Sequence, residues 1–275
     1  MTLNVGHIAY LNCVPFFHYL REVGFEGNIV HGVPSQLNAM LAEGKLDLSP
    51  SSSFEYGLHW QKYVLLPDLS ISSKGPVQSV LLFSPCTLPE LEGRQVALTG
   101  ESATSVNLLK ILLREFVGLR EVDFQVPENS VEECIEQKQP SLLIGDRALK
   151  MSKRCPPGCR IYDLGELWYQ YTGKPFVFAL WIVRREAAEN KRRELNLLKE
   201  KLKTSLEKSL KDKKPLAMAV SDNLSLTVSE ITEYWTIMDY RLEKDHIEGL
   251  ELYFDLCHLH GLLPDKPRID FFSES

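Results

Sequence analysis

Short apolar runs alternate with amphipathic stretches along most of this chain, and that alternation limits its fold more than any other feature. Apolar runs at residues 3–9, 28–32 and 46–50 read as strands. Between them lie an apolar segment opened by Pro15 (Phe16, Phe17, Leu20) and a helical pattern at Leu37, Met40 and Leu41 that stops at Gly44. Ser52 and Glu55 then have the spacing of a capping box, predicting a helix to about Gln61. This β-α-β-α-β-α order favours a parallel or mixed sheet with helices on both faces.

The pattern continues with strands at 79–83 and 95–99, a helix at 104–116, a strand at 122–126 and a helix from Ser130. A strand at 142–145, a helix from about Asp146, a strand at 160–164 and a long apolar strand at 174–185 follow. A chain of 275 residues exceeds what one core usually serves. The expected architecture is therefore α/β with two lobes and a cleft between them. Lobe 1 is discontinuous, residues 1–86 and 176–275, and lobe 2 is inserted as residues 87–175. The crossing into lobe 2 is expected at 85–94. Leu198, Leu202, Leu206 and Leu210 then mark an amphipathic helix with a solvated lysine-rich face, and helices are expected at 228–241 and 245–260.

The net charge of −6 argues against nucleic acid or an anionic membrane as the main partner, but not against a small anion held by amides and hydroxyls. The first residues show no basic, apolar and small-residue series of a secretory leader, and no run reaches the roughly 18–20 apolar residues of a membrane span. A cytoplasmic protein with six reduced cysteines is expected. Neither CPPGC (155–159) nor CHLHG (257–261) is a zinc signature, and phosphate-loop, dinucleotide and nucleophile-elbow motifs are missing. No obligate protein partner is evident.

Candidate site residues cluster where strands end. Asn12 follows the first strand, in YLNCVP; it suits either a turn, where asparagine bonds its own backbone, or a substrate-facing amide. Ser51 and Ser52 lie in the serine run after LDL, Ser70, Ser72 and Ser73 precede GPVQS, and Ser79 ends it. GESATS (100–105) joins a strand to a helix. Ser102, Thr104 and Ser105 there fit an anion site at a helix N-terminus, and equally a plain N-cap. Asp146 fits a helix cap.

Six segments in order resemble the chorismate dehydratase family, which opens the futalosine route to menaquinone: GHIAYLNCVPF (6–16), LDLSPSSSFEY (46–56), LLPDLSISSKGPVQSVLLFS (65–84), VALTGESATSVNLLKILL (96–113), LLIGDRAL (142–149) and GKPFVFALW (173–181). The C-terminal helices match less specifically. The resemblance implies the two-lobed fold of type II periplasmic binding proteins. It also implies dehydration of chorismate, a dicarboxylate, to 3-[(1-carboxyvinyl)oxy]benzoate without a cofactor or metal. Asn12 and Ser79 then take the reaction-site positions, and the SATS hydroxyls, Thr104 and Ser105 closest, hold a substrate carboxylate. Ser51, Ser52, Ser102 and Asp146 are assigned to substrate binding by position. Two rivals stand beside this: a cytoplasmic small-carboxylate sensor on the same fold, and the enzyme of that fold and pathway that forms dihydroxynaphthoate. A DNA-binding regulator's effector lobe is weaker, since no helix-turn-helix precedes the first strand.

Overall fold

A computed structural model describes residues 2–273. The strands are β1 (Asn4–Ile8), β2 (Asn28–Gly32), β3 (Leu48–Ser52), β4 (Tyr63–Ser73), β5 (Val80–Ser84), β6 (Gln95–Leu98), β7 (Asp123–Gln125), β8 (Ser141–Ile144), β9 (Arg160–Asp163), β10 (Phe176–Arg184) and β11 (Met238–Leu242). They form two mixed sheets. The first has the order β11-β4-β10-β3-β1-β2 and the second β7-β6-β8-β5-β9. β1 runs parallel to β2 and β3, whereas β10 is antiparallel to both β3 and β4. β10 sits inside its sheet because nearly every one of its side chains is apolar and buried.

β4 was not foreseen as a strand. By sequence, Ser70, Ser72 and Ser73 group with the polar residues of strand-end loops. In the structure Asp68 takes a positive φ of 70°, and pairing with β10 slips between Leu65 and Ser70. Pro67 is thus absorbed at an irregularity, where a lost ladder donor costs little. Ser70 and Ser72 lie in the core because their hydroxyls donate to the carbonyls of Arg241 and Asp239 on β11. Ser73 donates to Gly75 O. Ser70 and Ser72 serve the sheet, and Ser73 the turn that leaves it.

Two further expectations are corrected. The helix expected at 228–241 stops at Ile237, and Met238–Leu242 is a strand, because Met238, Tyr240 and Leu242 are buried in alternation with Asp239 and Arg241. The crossing expected at 85–94 lies earlier: β5 belongs to the second sheet, so the chain passes between sheets at residues 74–79. It returns between Asp163 and Phe176 through the helix Leu164–Thr172, which Gly173 ends with φ of 68°. A helix at Lys213–Leu224 was also unforeseen. Leu198, Leu202 and Leu206 are buried as their spacing predicts, on the helix Arg192–Lys211.

A packing point in the first sheet is pH-sensitive. His7 stacks on Phe17 at 3.9 Å between ring centroids and lies 4.6 Å from His31. Burial, with the like charge of His31 second, lowers its pKa from 6.5 to about 4. The folded value lies below the unfolded one, so the unfolded chain takes the proton first. Stability from this group is full above about pH 6.5 and is lost as pH falls toward 4, by up to about 3 kcal/mol. Urea unfolding from pH 7 to 4 is expected to show a steeper acid loss for the wild type than for His7→Phe. Parallel curves would mean that His7 protonates in the folded state without penalty.

Candidate active site

One cavity, partly open to solvent, is lined by both sheets and by the crossing segment between them. Asn12, Ser79, Ser52, Ser102 and Ser105 all line it, together with Tyr10. The remainder is mostly apolar, including Ile8, Ile71, Val80, Ile144 and Phe178. No lining side chain is an acid, a lysine, an arginine or a histidine.

Asn12 sits in the turn after β1, which is closed by the Cys13 N–H donating to Tyr10 O at 3.0 Å. Its amide oxygen is buried and has no hydrogen-bond partner. An asparagine present only for the turn would spend that oxygen on nearby backbone. The backbone before it is held from two sides. Leu11 N–H donates to Asp146 Oδ1 at 3.0 Å, and Leu11 O accepts from Trp235 Nε1 at 2.8 Å.

Ser79 ends the crossing segment and is 1% exposed. Its Oγ accepts from the Tyr234 hydroxyl at 2.9 Å, which leaves its own proton for a second partner. Burial pushes the Tyr234 phenol well above its ordinary range, so it keeps the proton it donates. The segment leading to Ser79 is tied to Asp163, whose carboxylate accepts from Val77 N–H and Gln78 N–H while capping the helix Leu164–Thr172. Asp163 went unnoticed in the sequence, although a capping aspartate before a helical pattern is a legible signal.

The cavity meets the starts of four helices. Pro34 opens the helix Pro34–Ala42, Ser52 caps Ser53–His59, Ser102 caps Ala103–Ile111, and Gly145 opens Gly145–Ser152. A helix start leaves N–H groups without intrahelical partners and carries the positive end of the dipole. Here some are already spent, as Gly145 N–H donates to Ser79 O, Phe54 N–H to Thr104 Oγ1 and Ser105 N–H to Ser102 Oγ. Gly145 is needed for another reason also: its φ is +61°, and an added Cβ would lie 3.3 Å from the Tyr10 ring. Anions are favoured at such a point without any charged side chain.

Not every residue singled out in the sequence faces this space. Thr104 is buried, and its hydroxyl accepts from Phe54 N–H at 2.9 Å, tying together two helix starts. It is not part of the lining, because at that helix position its side chain points toward the helix Ser53–His59. Ser51 is fully buried on β3 with an unpartnered hydroxyl, outside the lining. Asp146 holds Leu11 and does not line the cavity. Burial pushes its carboxyl upward, against the Leu11 hydrogen bond. Sequence reasoning also passed over Tyr10, which donates to Glu101 Oε2 at 2.7 Å; Glu101 in turn pairs with Arg147 at 3.0 Å. That chain links the loop after β1 with the second-sheet side of the cavity.

Two mixed sheets joined by a crossing segment, with a cavity at the crossing, make the periplasmic-binding-protein fold, and solved structures agree. A protein from Archaeoglobus fulgidus superposes with a TM-score of 0.73 at 17% identity, covering 95% of this chain and 98% of that one. The alkanesulfonate-binding protein of Xanthomonas axonopodis pv. citri, solved bound to MOPS, gives 0.73 at 13% identity, covering 97% and 95%. These likenesses concern the fold. The chain belongs to the menaquinone biosynthesis family, which matches residues 3–259. Among curated relatives, a chorismate dehydratase from Thermus thermophilus is 36% identical over 93% of this chain and 95% of its own length. Another from Campylobacter jejuni is 31% identical over 63% of this chain and 64% of its own.

Proposed function

We propose that this protein is a chorismate dehydratase, a carbon–oxygen lyase that converts chorismate to 3-[(1-carboxyvinyl)oxy]benzoate and water. The observation that carries this is the meeting of Asn12, with its unspent amide oxygen, and Ser79, with its spare proton, at one neutral cavity ringed by helix starts. Such a cavity suits a dianion, since preorganised N–H donors replace water without adding a titrating cation.

The chemistry follows from the substrate. The C3 proton of chorismate is acidified by the diene, which delocalises the developing carbanion toward the ring carboxylate. Those electrons then form the C3–C4 double bond as the C4–O bond breaks. The departing oxygen leaves with a proton as water, and aromatisation drives the step. The helix start at Ser102 and Ser105 holds the ring carboxylate, where donors aimed at growing charge favour the transition state over the ground state.

The lining offers no ordinary general base: Tyr10 is its one titratable side chain, and burial with the Glu101 hydrogen bond raises its pKa. The enolpyruvyl carboxylate of the substrate therefore takes the C3 proton. Asn12 orients that carboxylate, Ser79 hydrogen-bonds the departing oxygen, and the proton taken from C3 passes from the carboxylate to that oxygen, so water leaves and Ser79 stays neutral. Rate then comes largely from orientation within a dry cleft. The two lobes close around the substrate in the cytoplasm, without a metal or coenzyme.

Incubating the purified protein with chorismate tests this directly. A benzoate-type ultraviolet spectrum should grow in with equimolar loss of chorismate. Saturable binding with an unchanged spectrum over hours would sink the lyase assignment and favour a carboxylate sensor.

A further inference from the structure

We propose that Tyr234 and Trp235 are positioning residues that hold Ser79 and Asn12 in working geometry, so that a C-terminal helix sets the active site. The two are neighbours on the helix Val228–Ile237 and belong to its buried face with Ile231, at the i, i+3, i+4 spacing. Tyr234 OH donates to Ser79 Oγ at 2.9 Å. Trp235 Nε1 donates to Leu11 O at 2.8 Å. One turn of helix thus reaches Ser79 itself and the residue just before Asn12, across 155 and 224 positions of sequence.

Each contact fixes a specific degree of freedom. Leu11 O belongs to the peptide group that carries Asn12 N, so Trp235 sets the plane from which the Asn12 side chain projects. Asp146 holds the preceding N–H, and the peptide cannot rotate without losing a partner. At Ser79, Tyr234 occupies a lone pair and directs the serine proton away from itself. The main chain there is pinned by Gly145 N–H donating to Ser79 O at 2.7 Å.

The helix is itself held firmly. Thr227 and Glu230 form a capping box at its start, Glu230 pairs with Lys153 at 2.5 Å, and its end runs straight into β11. Buried tyrosine and tryptophan ordinarily find a hydrogen-bond partner for stability alone. Here one partner is Ser79 and the other is the peptide group that leads into Asn12, and a purely structural role would not touch turnover.

This inference rests on the dehydratase assignment, and the experiment separates the two. Tyr234→Phe and Trp235→Phe keep an aromatic ring and remove one donor each. Steady-state kinetics with chorismate are measured on full-length single variants and on the pairs Tyr234→Phe/Ser79→Ala and Trp235→Phe/Asn12→Ala, with thermal melting in parallel. Each single variant is expected to lose about tenfold or more in kcat with KM little changed, the scale of a misplaced group. Each double variant should be no slower than its Ser79→Ala or Asn12→Ala parent, because a residue acting only through another adds nothing once that other is gone. Wild-type kcat in both single variants, or losses that multiply in the pairs, would overturn the inference alone. If one variant does not fold, the other decides. A wild type that leaves chorismate unchanged removes the dehydratase assignment and this role with it.

Discussion

Asn12→Ala lowers kcat for chorismate about a hundredfold or more, the usual scale for removing one well-placed hydrogen-bonding group from a reaction site. The melting temperature should hardly move. The Asn12 oxygen has no protein partner, so its removal leaves no buried group unsatisfied. That separation of activity from stability is the signature of a side chain kept for its ligand. Asn12→Asp is the sharper variant. It preserves size but places a carboxylate where the substrate brings one of its own, in a lining without a compensating charge. Both affinity and turnover should fall, and more steeply at low salt, where repulsion is less screened. Near-normal turnover of Asn12→Asp at unchanged KM would mean that a neutral amide is not what the reaction requires. Steady-state kinetics at two ionic strengths, with melting curves alongside, decide the matter.

The two-lobed α/β fold was legible because hydrophobic periodicity is local. β1, β2, β5, β6 and β10 each announce themselves within a few residues, and the order of elements implies the layers. β4 was hidden because its evidence is not local. Ser70, Ser72 and Ser73 look like a loop until β10 and β11 supply their partners. The crossing was misplaced for the same reason: β5 is apolar enough for either sheet, and only pairing with β8 and β9 assigns it.

The site divides along similar lines. Asn12, Ser79, Ser52, Ser102 and Ser105 stood out because strand ends and helix starts are where a cleft draws its polar groups, and they do meet. Thr104, Ser51 and Asp146 satisfied the same rule by position, but which way a side chain points is a tertiary fact. Thr104 turns to Phe54 and Asp146 to Leu11. Tyr234 and Trp235 gave no signal, since an aromatic pair on an amphipathic helix looks like core, and both are indeed buried.

The second large effect comes from Ser102→Asp, which distinguishes an anion site from a plain cap. Ser102 caps the helix Ala103–Ile111: its Oγ accepts from Ser105 N–H at 3.2 Å and lies 3.1 Å from Ser105 Oγ. Aspartate is as good an N-cap as serine and complements the helix dipole, so the variant should fold at least as stably as the wild type. A plain cap would therefore tolerate it. If the same helix start holds the ring carboxylate, the new charge occupies the donors that the substrate needs. It also repels the substrate by about 3 kcal/mol at roughly 5 Å with an effective dielectric near 20. KM should then rise by about a hundredfold or more, while Ser102→Ala, which removes one hydroxyl and adds no charge, costs far less. The rise should shrink as salt is added, since part of the repulsion is screened. Kinetics of the two variants, each shown by melting to be folded, give the answer. An unchanged KM for a folded Ser102→Asp protein would mean that the substrate carboxylate lies elsewhere, and the starts of Pro34–Ala42 and Gly145–Ser152 would be the remaining anion sites on longer helices at this cavity.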